Sequence, residues 1–281
     1  MTLPDFLIIG AMKCGTSTLQ AQLARQPGVF MSTPKEPNFF SDDAVHARGL
    51  DWYKGLFAAA APGDLKGEAS THYTKLPTYP QTLARMRAVL PAPRLVYMIR
   101  NPVDRAVSHY IHEWTEGRLG ADAAQAFRDT PEIAAYGCYG RQIAPFFQAY
   151  GAGRIHLTSL EQLQADPADT FGRIAAFLGL PAGAGWVDDL PAQNVSAMRM
   201  RRLPLQGILI DNPLATALRR ALVPKALRSW VRRQRSMADR PAIPADLHAR
   251  LVDAFVQDRE DLAHMFPGHP ALDLCYRFAP R

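Results

Sequence analysis

The stretch that most constrains the fold is FLIIGAMKCGTSTLQAQL, residues 6–23. It begins with an apolar run of the kind found in buried strands, passes through a loop with two glycines, and continues into hydroxyl residues and an apolar pattern with helical spacing. A helix that follows such a turn aims its first backbone N–H groups at the loop, where they favour an anion. The stretch therefore predicts a phosphate-binding loop in an α/β fold.

The residues of this loop support the same interpretation. Gly10 and Gly15 permit the tight turn, Lys13 adds a positive charge, and hydroxyl side chains occupy positions 16–18. The spacing differs from the G-x-x-x-x-G-K-[ST] loop of nucleoside triphosphatases, because the lysine stands two residues before the second glycine. An ordinary glycine turn between a strand and a helix is the alternative.

Two further apolar runs, RLVYMIR (94–100) and RIHLTSL (154–160), have the composition of strands inside a parallel sheet, the second less clearly. Patterns with helical spacing cover residues 16–25, 79–90, 103–114 and 168–178. Strands that alternate with helices predict βαβ units, with a central parallel sheet between two layers of helices. We therefore expect a three-layer α/β fold.

Two helix starts are marked by capping residues. NPVD (101–104) and DPAD (166–169) each place Asn or Asp before a proline at the first helical position. A last amphipathic helix is predicted from about residue 244 to 266 and forms a helical addition at the C-terminal end. No repeat or low-complexity linker interrupts the chain of 281 residues, so residues 1–281 are expected to form a single domain.

The charge and cysteine content limit the partners. The net charge of +6 favours an anionic partner, and a basic stretch at 218–236 is a candidate for peripheral contact with a membrane surface or an acidic glycan. Cys14, Cys138 and Cys275 are too widely spaced to suggest a disulfide framework or a metal cluster. The first residues lack the basic region of a signal peptide, and a cytoplasmic location is expected.

A second anion-binding signal stands at the end of the predicted strand at 94–100. Arg100 occupies the position where a nucleoside triphosphatase usually has a magnesium-binding aspartate. A guanidinium group binds phosphate directly through two parallel hydrogen bonds. The loop and Arg100 together favour a phosphate site that requires no metal.

These residues resemble the sulfotransferases that use 3′-phosphoadenosine 5′-phosphosulfate (PAPS). IIGAMKCGTSTL is similar to their 5′-phosphosulfate loop, and IRNPVDRAVSHY is similar to their 3′-phosphate motif, in which a serine follows an arginine by eight residues. TPKEPNFF and WYKGLF are similar to the heparan-sulfate and bacterial carbohydrate branch. The resemblance implies a P-loop NTPase-like fold.

The resemblance also assigns residues to the donor nucleotide. It implies that Lys13, Cys14, Gly15, Thr16, Ser17 and Thr18 hold the 5′-phosphosulfate, and that Arg100 and Ser108 hold the 3′-phosphate. The family closes a basic loop over the nucleotide, to which Arg199 or Arg201 corresponds here. Lys13 would neutralise charge that develops on the bridging oxygen, so PAPS is the expected co-substrate and no metal is required.

An acceptor hydroxyl must lose its proton during transfer, and a carboxylate or a histidine usually takes it. Glu36 in STPKEPNFF matches a glutamate of the heparan-sulfate branch that resembles a general base. A capping box formed by Thr33 and Glu36 is the alternative, and Pro37 argues against it because a proline disfavours helical geometry at the preceding residue.

Histidine is the base in the cytosolic branch of the family, which makes His72 the second candidate. His109 and His112 fall on a predicted helix and are expected to be solvated. The heparan-sulfate branch has a lysine where this chain has Ala69, and Lys35 is the replacement that the sequence suggests.

We therefore expect a sulfotransferase that moves a sulfuryl group from PAPS to a hydroxyl or an amine of a carbohydrate, glycolipid or small-molecule acceptor. A P-loop phosphoryl-transfer enzyme is the first alternative, but it needs a lysine directly before the hydroxyl residues and a magnesium-binding acid. A non-enzymatic basic module for nucleic acid or membrane is the second, and it would not need to combine the loop with Arg100 and Ser108. No nucleic-acid partner is expected.

Overall fold

The computed structural model describes residues 3–190, 237 and 240–279 of the chain. Five parallel strands form one sheet in the order β2-β3-β1-β4-β5. The strands are β1 (Phe6–Gly10), β2 (Val29–Met31), β3 (Leu65–Ala69), β4 (Arg94–Ile99) and β5 (Ile155–Ser159). Leu7 of β1 lies opposite Glu68 of β3 on one side and Leu95 of β4 on the other. The predicted central parallel sheet is confirmed.

Helices connect the strands and flank the sheet. They are α1 (Thr16–Leu23), α2 (Asp43–His46), α3 (Leu50–Gly55), α4 (Thr82–Val89), α5 (Pro102–Thr115), α6 (Ala123–Asp129), α7 (Glu132–Ala135), α8 (Tyr139–Tyr150), α9 (Leu160–Ala165), α10 (Pro167–Leu178), α11 (Ala245–Met265) and α12 (Pro270–Cys275). Short 3₁₀ helices occupy Thr71–Thr74 and Ala152–Arg154. The C-terminal helix α11 packs mainly on α8, which confirms the predicted helical addition.

The two predicted helix starts form as expected. The Asn101 side chain accepts hydrogen bonds from the backbone N–H groups of Val103 and Asp104, both at 3.0 Å, and Pro102 is the first residue of α5. The Asp166 side chain likewise accepts from the N–H of Asp169 at 2.9 Å. These caps satisfy N–H groups that have no partner within the helix.

The sequence patterns identified β1, β4 and β5 but not β2 and β3. Only three residues form β2, and β3 has the sequence LKGEA, which has no apolar run. Gly67 of β3 lies beside the ring of Phe6, where an added Cβ would stand 2.1 Å from Cζ. This strand is therefore specified by a close tertiary contact, which a strand pattern does not reveal.

The topology determines where a ligand would bind. The chain leaves β1 towards β2 on one side of the sheet and leaves β4 towards β5 on the other. Ligands of open α/β sheets bind beyond the carboxyl ends of the strands where the connections diverge in this way. The glycine-containing loop after β1 and Arg100 after β4 both lie at that edge.

Several predictions fall on parts of the chain outside the described residues. Arg199, Arg201 and the basic stretch at 218–236 belong to this group. Within the described part, no helix combines the length and the apolar character needed to cross a bilayer. The single domain over residues 1–281 and the cytoplasmic location stay predictions.

Candidate functional site

A cavity of about 500 Å³ opens at the carboxyl edge of the sheet. Its walls come from the loop after β1, the segment after β2, the 3₁₀ helix after β3, and α5. Eight residues predicted for the site line it: Lys13, Gly15, Thr16, Ser17, Thr18, Glu36, His72 and Ser108. The structure thus brings together side chains that are up to 95 positions apart in the sequence, from Lys13 to Ser108.

The loop after β1 has the geometry of an anion site. Gly15 precedes α1 with φ +89°, a left-handed conformation that favours glycine, and an added Cβ would stand 2.9 Å from Leu160 Cδ1. The carbonyl of Gly15 accepts from the N–H groups of Thr18 and Leu19. Within the described residues, the N–H groups of Gly15 and Thr16 donate to no oxygen. Both remain available to a ligand.

Arg100 lies directly against this loop. Its Nη1 donates to the carbonyl oxygen of Lys13 at 3.3 Å, and its Nη2 stands 4.0 Å from Asp104 Oδ2. The Nε of Arg100 is buried and makes no hydrogen bond to any described residue. A buried donor without a partner is costly in a folded protein, so this Nε is suited to an anionic ligand. Ser108, two turns into α5, lines the cavity itself.

Cys14 is the exception among the predicted nucleotide-binding residues. Its side chain is fully buried, with Sγ 3.5 Å from the hydroxyl of Tyr139, and its N–H donates to the carbonyl of Ala11. Burial raises the pKa of the thiol to about 11, so the group stays neutral. The predicted contact of Cys14 with a nucleotide is not supported by this position, because the residue packs beneath the loop.

Glu36 stands in the cavity wall and not at a helix start. Its backbone has φ +57° and its N–H donates to the carbonyl of Ala69 at 2.9 Å. The next helix begins at Asp43, where Asp42 supplies the cap. The capping box of Thr33 and Glu36 is therefore not formed.

The carboxylate of Glu36 is held on both oxygens. Lys35 Nζ donates to Oε1 at 2.9 Å, and the Thr71 hydroxyl donates to Oε2 at 3.3 Å. Burial favours the neutral acid, but the positive charges of Lys35 and Lys75 outweigh it, so the pKa of Glu36 is lowered. Glu36 is therefore ionised at neutral pH and is able to accept a proton.

Two lysines of this cavity were not identified as firm site residues from the sequence. Lys35 Nζ donates to Ser17 Oγ at 2.8 Å as well as to Glu36, so it links the loop after β1 to the carboxylate. Lys75 is 8 % exposed, and burial lowers its pKa to about 8. The position of Lys35 next to Glu36 was the one sequence signal for either residue.

The histidines differ from one another in their surroundings. His72 lines the cavity and stacks on Tyr79, with ring centroids 4.7 Å apart, and burial lowers its pKa to about 4. His109 was expected to be solvated, but it is buried and stacks on Tyr136. His112 is half-buried in the wall of the cavity. His72 is neutral at physiological pH and is the second candidate base.

Backbone strain is concentrated at this site. Within the described residues, the non-glycine residues with positive φ are Lys13, Glu36 and Asn38, with values of +68°, +57° and +55°. Such conformations cost free energy and persist where the surrounding structure holds them, most often at functional sites. All three belong to the loop after β1 or the segment that carries Glu36.

A second cavity of about 450 Å³ adjoins the first. His72, Lys75, Glu113 and Arg118 line both cavities. Tyr79 and Tyr136 are among the residues that line the second cavity alone, which gives it two aromatic walls. The two cavities therefore meet at these shared residues. Within the described part of the chain, no three His, Cys, Asp or Glu side chains are grouped to hold a metal ion.

A comparison with known protein families shows to which family the chain belongs. The model of the family described as Sulfotransferase domain matches residues 3–213, three quarters of the chain. The chain belongs to the sulfotransferase family. The glycine-containing loop, Arg100 and Ser108 all lie within the matched residues.

The similar proteins include enzymes that act on heparan sulfate. The mouse heparan sulfate glucosamine 3-O-sulfotransferase 6 is 32 % identical over 185 residues, which cover 63 % of this chain and 52 % of the relative. The human bifunctional heparan sulfate N-deacetylase/N-sulfotransferase 2 is 29 % identical over 199 residues, 63 % of this chain and 22 % of the relative. The chain thus spans about half the length of the first relative.

A solved structure is similar over nearly the whole chain. The sulfotransferase from Alicyclobacillus acidocaldarius matches with a TM-score of 0.65 and 23 % identity, over 93 % of this chain and 94 % of that one. This similarity confirms the predicted sulfotransferase fold, which is P-loop NTPase-like.

Proposed function

We propose that this protein transfers a sulfuryl group from PAPS to a hydroxyl group of an acceptor. The observation that carries the proposal is the meeting of an anion-binding loop and an ionised carboxylate in one cavity. Lys13 and the free N–H groups of the loop are suited to the donor, and Glu36 is suited to remove a proton from the acceptor. The membership of the sulfotransferase family supports the same reaction.

The donor site follows from the groups that lack partners. The N–H groups of Gly15 and Thr16, together with Lys13, would hold the 5′-phosphosulfate. Arg100, with its buried and unpaired Nε, and Ser108 would hold the 3′-phosphate. Contacts from Arg199 or Arg201 remain a prediction.

The reaction requires one bond to form and one to break at sulfur. A lone pair of the acceptor oxygen forms the new O–S bond, while the bond between sulfur and the bridging oxygen of the 5′-phosphate breaks and its electron pair leaves with the nucleotide. The acceptor proton passes to the Glu36 carboxylate. The ammonium of Lys13 stabilises the negative charge that develops on the leaving oxygen. These residues supply the required charges without a metal.

The adjoining second cavity is the proposed acceptor site. It opens onto the junction formed by His72, Lys75, Glu113 and Arg118, so a hydroxyl placed there approaches Glu36. We propose a carbohydrate as the leading acceptor class, supported by the named activity of the relatives on heparan sulfate. Glycolipids and small hydroxylated molecules are the other classes to test.

The test is incubation of the protein with PAPS that carries ³⁵S and a panel of hydroxylated and amino acceptors, followed by detection of labelled products. The proposal predicts label on at least one acceptor and formation of 3′-phosphoadenosine 5′-phosphate (PAP). The variant Glu36→Gln serves as the matched control, because it keeps the shape of the site but removes the basic group. Label transfer from γ-³²P-ATP in place of PAPS would support a phosphoryl-transfer enzyme instead.

A further inference from the structure

The cavity of about 500 Å³ that holds the anion-binding loop, here called the donor cavity, is lined by more positive than negative side chains. Four cationic side chains line it, from Lys13, Lys35, Lys75 and Arg118, against the carboxylates of Glu36 and Glu113. Lys35 forms an ion pair with Glu36 at 2.9 Å, and Arg118 forms a short ion pair with Glu113. Among the described residues, Lys13 and Lys75 are left without an ion pair.

Lys13 belongs to the loop after β1 and has a proposed role in binding the donor there, but no role has yet been assigned to Lys75. The side chain of Lys75 is more than nine-tenths buried, and its ammonium makes no ion pair or hydrogen bond to a described residue. Its Nζ lies over the ring of Tyr136, 5.7 Å from the ring centroid. The residue lines both cavities, so its ammonium faces open space without a counter-ion among the described residues, and an anionic ligand there would supply one.

The backbone of this residue is fixed by its neighbours. Lys75 follows the 3₁₀ helix Thr71–Thr74, and its N–H donates to the carbonyl of His72 at 3.2 Å. The buried side chain of Gln142 holds the next residue, Leu76, through both its N–H and its carbonyl, at 2.7 and 2.9 Å. The backbone at Lys75 is therefore fixed, and its side chain lines both cavities at their junction, through which a group passing from donor to acceptor would move.

We propose that Lys75 is a catalytic residue of this chain, whose ammonium contacts the sulfuryl oxygens during transfer between the two cavities. The inference rests on the proposed sulfotransferase function and adds a second cation to Lys13. Lys13 stabilises the charge on the leaving oxygen of the nucleotide, whereas Lys75 stabilises the charge on the oxygens of the sulfuryl group. A preorganised cation at that position stabilises the negative charge of the transferring group.

The charged groups around Lys75 determine when it is protonated. Glu36 and Glu113 favour the charged ammonium, and Arg105 and Arg118 oppose it, but burial is the largest effect. The neighbouring rings of His72, His109 and Tyr136 are uncharged at neutral pH, since burial holds the pKa of both histidines near 4 and that of Tyr136 above its ordinary value. With a pKa of about 8, Lys75 is mostly protonated at neutral pH and loses its charge in mildly alkaline solution.

The deciding experiment compares the binding of PAPS and PAP, which differ by the sulfuryl group, by calorimetry at neutral pH. The variants are Lys75→Met, which removes the charge, Lys75→Arg, which keeps it, and Lys54→Met, a control on α3 that lines neither cavity. We expect Lys75→Met to weaken PAPS binding about tenfold and to leave PAP binding unchanged. Lys75→Arg, which keeps the charge, should lose less PAPS affinity than Lys75→Met, and Lys54→Met should bind both ligands within about twofold of the parent protein.

Equal effects of Lys75→Met on PAPS and PAP, or no effect on either, would overturn the inference. A parent protein that binds neither ligand would instead contradict the proposed function, so the two failures are distinguishable.

A kinetic measurement provides a second readout. In the slow hydrolysis of PAPS, water takes the place of the acceptor, so no acceptor molecule has to be added. The rate of this hydrolysis should fall by about 10²-fold in Lys75→Met. In the parent protein kcat/KM for this hydrolysis, which reports the ligand-free enzyme, should decline above about pH 8, and the decline should be weaker in Lys75→Arg, because a guanidinium stays charged. A selective loss of transfer to acidic acceptors, with hydrolysis unchanged, would show that Lys75 binds the acceptor and would refute the catalytic role.

Discussion

Glu68 offers a quantitative test of the electrostatics beneath the site. It is fully buried near the end of β3, and Oε2 accepts a hydrogen bond from the hydroxyl of Tyr53 at 2.6 Å. Burial raises its pKa from 4.5 to about 7, although the hydrogen bond from Tyr53 favours the charged form. Each pKa unit corresponds to about 1.4 kcal/mol, so ionising Glu68 in the folded protein costs about 3 kcal/mol.

The sign of the pH dependence follows from the direction of this pKa change. The folded protein holds the proton more tightly than the unfolded chain, so stability is undiminished below pH 4.5, falls as the pH rises to about 7, and is then constant. Glu68→Gln removes this titration while keeping an oxygen that accepts from Tyr53. The free energy of unfolding of the variant, relative to the parent, should therefore rise by about 3 kcal/mol between about pH 4.5 and pH 8.

Urea denaturation of both proteins across this pH range measures the difference. Glu260→Gln, an exposed glutamate on α11, is the matched control and should follow the parent protein at every pH. If the curve of Glu68→Gln also runs parallel to that of the parent, Glu68 does not titrate on unfolding and the reasoning from burial is refuted.

Two further predictions concern the proposed base. Glu36→Gln should slow sulfuryl transfer by about 10²–10⁴-fold in single-turnover measurements while PAP affinity is retained, because the basic group is lost but the shape is kept. If the rate were retained, Glu36 would not be the base, and His72 would be the next candidate to test. Lys35→Met should raise the pKa of Glu36, since the Lys35 ammonium lies 2.9 Å from Oε1 and favours the carboxylate. The acid limb of the pH–rate profile should therefore move to higher pH, and an unchanged limb would show that Lys35 does not control the base.

The parts of the fold that the sequence predicted are those with local signals. The apolar runs of β1 and β4, the proline-containing caps of α5 and α10, and the glycine-containing loop all depend on residues close together in the chain. The strand β3 was not predicted because its sequence LKGEA has no apolar run, and the close approach of Gly67 to the ring of Phe6 joins residues 61 positions apart. A contact between residues so far apart in the chain produces no periodic pattern in the sequence.

The same distinction holds for the site. Lys13 and Gly15 belong to the loop motif before α1, and Arg100 and Ser108 belong to the motif that runs from the end of β4 into α5, whereas Lys75 carries no motif. Its significance comes from burial and from the pairing of other charges, neither of which is visible before folding. Cys14 shows the converse, because its place in the loop motif suggested a contact that its buried side chain does not make.

The most direct test of the central claim is a calorimetric titration of the protein with PAP in the presence of a metal chelator. Adenosine 5′-phosphate, which lacks the 3′-phosphate, and ATP serve as comparison ligands. We predict that PAP binds without divalent metal and more tightly than either. Arg100→Ala should weaken PAP binding by about 1.5–3 kcal/mol, a factor of about 10 to 150, with little effect on adenosine 5′-phosphate. Binding that disappears on chelation, equal affinity for ATP, or an unchanged dissociation constant in Arg100→Ala would contradict the account.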